Sequence, residues 1–94
     1  MDKEDIMFCL RYLGQIDLKP YHPLRKDKLV EALKDAKDVL KGEFKMKPEE
    51  EITRSIDWLK WIINPCLCPA LHINQKWAVE CAIQLLEEKK EEWK

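Results

Sequence analysis

An all-α fold, a small four-helix bundle with proline-containing connections, is predicted by three observations. The 94-residue chain contains only two glycines, and turn-rich β proteins need glycine where φ is positive. Apolar residues recur at helical spacing in four segments. The prolines fall between those segments or at the start of one, where each pushes its predecessor towards an extended shape. With 46% hydrophobic and 37% charged residues, the composition is that of a globular chain and fits a single helical domain over residues 1–94.

The first helix is expected over about Lys3–Gln15. Asp2 is the candidate N-cap, and Glu4 and Asp5 suit the positive end of the helix dipole. Ile6, Cys9, Leu10 and Leu13 form one stripe, while Phe8 and Tyr12, four apart, lie on another side. The second helix is expected over about Leu24–Lys41. Leu29, Ala32, Leu33, Ala36, Val39 and Leu40 make its inward face, with Lys34, Asp35, Asp38 and Lys41 opposite. Its start has two readings: Pro23 as the first helical residue, or Asp27 as N-cap. Gly42 suits the position after its end.

Pro48 followed by Glu49, Glu50 and Glu51 marks the third helix, about Pro48–Ile63. Ile52, Ile56, Leu59 and Ile63 form its inward stripe, and the Asn64–Pro65 step ends it. The fourth is expected over about Gln75–Trp93, with Asn74 as N-cap and Ile73 and Ala78 at hydrophobic-staple spacing. Trp77, Ala78, Cys81, Ala82, Leu85 and Leu86, widened by Val79 and Ile83, give the broadest apolar arc. This helix is therefore expected to be the most central.

Three groups of residues are candidates for function. On the third helix Trp58 and Trp61 point away from the inward stripe, with Ile62 flanking. An exposed tryptophan pair suits a protein-binding surface. Phe8 and Tyr12 are grouped with Trp58, Trp61 and Ile62 as candidate protein-binding residues; the alternative is a second core face, covered by another helix through Phe8 and Tyr12. The second candidate is the basic start of helix 2, where Arg25, Lys26 and Lys28 could hold an anion or a nucleic-acid phosphate with free backbone N–H groups. The third is the loop Asn64–His72, NPCLCPALH. Thiolates and imidazole are zinc ligands, so Cys66, Cys68 and His72 supply three, with Cys81, Cys9 or His22 as a fourth. Only Leu67 separates the two cysteines, whereas paired zinc cysteines usually leave two to four residues between them. The expected reading is a stiff structural loop with no cofactor; the alternative is a metal-binding (zinc) or redox-sensitive helical protein that uses this loop.

Seventeen basic and eighteen acidic residues give a net charge of −1, which disfavours a general nucleic-acid binder. Residues 19–47 carry nine Lys/Arg against five Asp/Glu, and residues 48–94 six against nine. No apolar run approaches the ~18 residues of a membrane span, and MDKEDIMFCL does not read as a signal peptide. A cytoplasmic protein with reduced cysteines is expected. There is no phosphate-binding glycine loop, no zinc-protease motif and no nucleophile elbow, and Ser55 is the single serine. These observations favour a non-enzymatic interaction module, of adaptor, regulator or inhibitor type, that binds another protein or itself.

Overall fold

The computed structural model describes residues 2–19, 21–64 and 71–92. It contains four helices: α1 (Lys3–Gly14), α2 (Pro23–Lys41), α3 (Glu49–Ile63) and α4 (Ile73–Glu91). No strand occurs among the described residues. The four-helix, all-α architecture is that expected from periodicity.

The helix ends follow local chemistry. Asp2 occupies the N-cap of α1 without a side-chain cap bond. Pro23 is the first residue of α2, so the Asp27 alternative is wrong; His22 is the N-cap, its Nδ1 accepting from the Leu24 N–H at 3.3 Å. Gly42 ends α2 at φ 76°, a left-handed conformation that glycine adopts without a Cβ clash. The Glu43 N–H then reaches back to the Asp38 carbonyl at 2.9 Å. Pro48 stands at the N-cap of α3, ahead of the three glutamates.

The start of α4 differs from expectation. The helix begins at Ile73, and His72, in place of Asn74, is its N-cap. The His72 Nδ1 accepts from the Asn74 N–H at 3.2 Å, and the His72 N–H donates to Gln75 Oε1 at 3.0 Å. This reciprocal pair is a capping box built with histidine. Ile73 thereby becomes a helical residue, 74% exposed, and cannot serve as a staple.

Helices α2 and α4 each pack against all three others, while α1 and α3 do not touch. The four axes therefore form a diamond with α2 and α4 across its short diagonal. Both diagonal helices carry buried alanines four residues apart, Ala32/Ala36 and Ala78/Ala82, whose small side chains let neighbouring backbones approach. The thin dimension is 19 Å, two layers of helices about 10 Å across. Around the alanines lie Leu13, Leu29, Ile52, Leu59, Val79 and Leu86, all buried. On α3 the inward stripe is rotated from expectation. Ile62 is fully buried and Ile63 only partly, so Ile62 belongs to the core and is no part of a binding face.

Candidate functional site: an aromatic and basic face on α2 and α3

Helices α2 and α3 run antiparallel, as the pairing of Arg25 with Trp61 and of Asp35 with Ser55 requires. Along their seam the structure brings together two candidates that are separate in sequence. Trp58 and Trp61, one turn apart, meet edge to face with ring centroids 5.8 Å apart. Tyr21, from the loop before α2, packs edge-on against Trp61 at 5.6 Å. The Arg25 guanidinium sits 5.3 Å from the centre of the Trp61 ring, a cation–π distance. Both indoles pack against the core and are only partly exposed to solvent. Phe8 and Tyr12 do not cover them. They stack on each other at 6.3 Å, and Tyr12 meets Trp77 edge-on, on the α1/α4 side of the molecule.

Next to Trp58 a cleft of about 390 Å³ opens between the two helices. Its floor is a buried carboxylate. Asp35, 4% exposed, accepts from Ser55 Oγ at 2.6 Å and from Lys47 Nζ at 2.7 Å. That hydrogen bond raises the affinity of Lys47 for its proton above the ordinary lysine range, burial opposing it in part. Lys28, Lys34, Lys47 and Arg54 line the cleft, against Glu31, Asp35 and Glu51. With Asp35 paired to Lys47, three bases (Lys28, Lys34, Arg54) face two acids (Glu31, Glu51), so the rim carries a slight excess of positive charge.

The basic start of α2 is only partly the site expected of it. Arg25, Lys26 and Lys28 are all exposed. Arg25 lies over Trp61 and Lys28 lines the cleft, whereas the Leu24 N–H that an anion would use is taken by His22.

Comparison with protein-family profiles, curated proteins and solved structures finds no match. The face is therefore interpreted from its own chemistry.

Cys66 and Cys68 lie outside the described residues. His72 caps α4. Among the described residues no group of three or more His, Cys, Asp or Glu is placed to hold a metal, and no helix is long and apolar enough to cross a membrane. Cys9 on α1 and Cys81 on α4 are free thiols that lie close enough to influence each other. Burial, with Cys81 beside it, pushes the Cys9 thiol from 9.0 up to about 12. Burial also raises Cys81. These thiols therefore carry almost no thiolate at neutral pH, and the thiolate is the reactive form.

Sequence reasoning missed three parts of the site. Asp35 reads as one more charge on a polar face. Lys47 reads as loop, and Tyr21 as a turn residue between prolines. Ser55 did give a signal: it lies three residues after Ile52 and four before Leu59, on the inward side of α3.

Proposed function

We propose that this chain is a non-enzymatic protein-interaction module whose α2/α3 face binds an acidic segment of another protein that also carries large apolar side chains. The observation that supports the reading most is the Arg25 guanidinium over Trp61. It merges the tryptophan pair and the basic helix start into one surface. Partly exposed tryptophans offer a partner apolar area at little entropic cost, because the core already holds their rings. The rim's slight positive excess adds charge complementarity, which selects acidic partners and speeds encounter.

Selection of displayed random peptides on the intact protein tests this directly. Enriched peptides are expected to combine Asp or Glu with Leu, Phe or Trp. Chemical-shift changes on titration should centre on Tyr21, Trp58 and Trp61. Trp58→Ala should weaken binding about 30-fold, as for a hot-spot residue. Arg25→Glu should weaken it and lower its salt dependence, while Phe8→Ala leaves it unchanged. Peptides without acidic enrichment, or shifts confined to other faces, would sink the reading.

A further inference from the structure

The outer face of α1 is a second surface, remote from α3. Glu4, Met7, Phe8 and Arg11 fall on one stripe at helical spacing, opposite the buried Cys9 and Leu13. All four are exposed, Met7 by 68% and Phe8 by 45%, and together they line a shallow groove of about 270 Å³. Neither Glu4 nor Arg11 has an ion-pair partner among the described residues. Two helical turns separate them, about 10 Å along the axis, too far to pair directly with each other. The Phe8 ring is held in place, since it stacks on Tyr12, which Trp77 supports edge-on.

The order of residues on this stripe is self-complementary. The acid lies three residues before Met7 and the base three residues after Phe8. A two-fold axis crossing α1 midway between Met7 and Phe8 sets Met7 of one copy against Phe8 of the other. The same axis sets Glu4 against Arg11 twice. An isologous contact requires such an arrangement, one patch that complements itself when rotated. A partner of uniform charge would meet one attractive and one repulsive end.

We infer that a second copy of this chain docks on the outer face of α1, the two α1 helices antiparallel, with Met7 and Phe8 at the centre and Glu4–Arg11 pairs on either side. The seam is short, so the dimer is weak and forms reversibly at concentrations on the order of 100 μM. It uses a face separate from the aromatic and basic one and does not depend on the reading of that face.

Sedimentation equilibrium of the full chain from about 10 μM to about 1 mM tests the inference. A monomer–dimer equilibrium is expected. Glu4→Arg alone, and Arg11→Glu alone, should each raise the dissociation constant about tenfold, since each replaces both attractive pairs by repulsive ones. An equimolar mixture of the two single variants should associate as tightly as the parent, because the charges are then complementary between unlike copies. Met7→Glu, at an exposed position, should abolish association with its thermal midpoint unchanged. A monomer at every concentration would overturn the inference. So would a dimer indifferent to both charge reversals, or one that the mixture fails to restore.

Discussion

The two antiparallel seams of the molecule, α1 against α4 and α2 against α3, are built on opposite principles. In the first, two thiols meet in an apolar interior, and the large apolar side chains that do not fit stand outside as Met7, Phe8 and Ile73. In the second, a carboxylate is buried, and its cost is offset by Ser55 and Lys47. The tryptophans beside it are drawn partly into the core. One seam thus hides its reactive groups and exposes hydrophobic surface; the other hides part of its hydrophobic surface and exposes charge. The contrast teaches that an apolar seam tolerates sliding, whereas a buried acid with two fixed partners admits one register.

Apolar truncation should break both seams most severely. Leu33→Ala on α2 and Ile56→Ala on α3 are each expected to cost ~2–5 kcal/mol in denaturant melts. Lys34→Ala, the exposed neighbour of Leu33, should stay within ~0.5 kcal/mol.

The next effect is specific to the α2/α3 seam. Ser55→Ala leaves one Asp35 oxygen without its buried donor and should cost about 1–3 kcal/mol. Asp35→Asn combined with Ser55→Ala should cost less than the sum of the single changes, as for coupled groups. An additive result in the double-mutant cycle would show that the acid does not act through Ser55.

A pH-dependent effect belongs to the α1/α4 seam and appears in alkali. The unfolded Cys9 thiol ionises near 9.0, while the folded one keeps its proton to about 12. Across that window the unfolded chain binds fewer protons, so stability falls as pH rises. The stabilising contribution of Lys47 is also present below the ordinary lysine value of 10.5 and is lost as pH climbs through its raised folded value. Comparison isolates the thiol: between about pH 8 and pH 10.5, the fall in urea midpoint should be shallower in Cys9→Ala than in the parent. Equal slopes would remove Cys9 as the cause.

How much of this was legible in the sequence depends on how far apart the deciding residues lie. Helix number and type rest on local spacing, and the Leu29-to-Leu40 face of α2 is buried as its periodicity indicates. The start of α4 was misplaced by two residues, because histidine is not among the residues usually associated with N-caps. Asp35 illustrates a different failure. Its burial is decided by donors 12 and 20 positions away, and no local pattern announces them. The tryptophan pair was visible as a second face of α3. Its junction with Arg25 was not, since that requires knowing that α2 and α3 run antiparallel in register.

The cap at His72 has a consequence for coordination chemistry. A neutral imidazole carries one proton, and a ring whose Nδ1 accepts from a backbone N–H carries it on Nε2. A metal-bound neutral histidine likewise gives its one free lone pair to the ion while the other nitrogen donates its proton to an oxygen, and in His72 that lone pair is already taken by the Asn74 N–H. The one lone pair of a neutral His72 can therefore cap α4 or ligate zinc, but it cannot do both at once. If the neighbouring cysteines recruit a metal through this residue, the ring must release Asn74 and α4 gives up the roughly 1 kcal/mol that a helix cap contributes. Ion occupancy and the first turn of the last helix would then be competing states of one side chain.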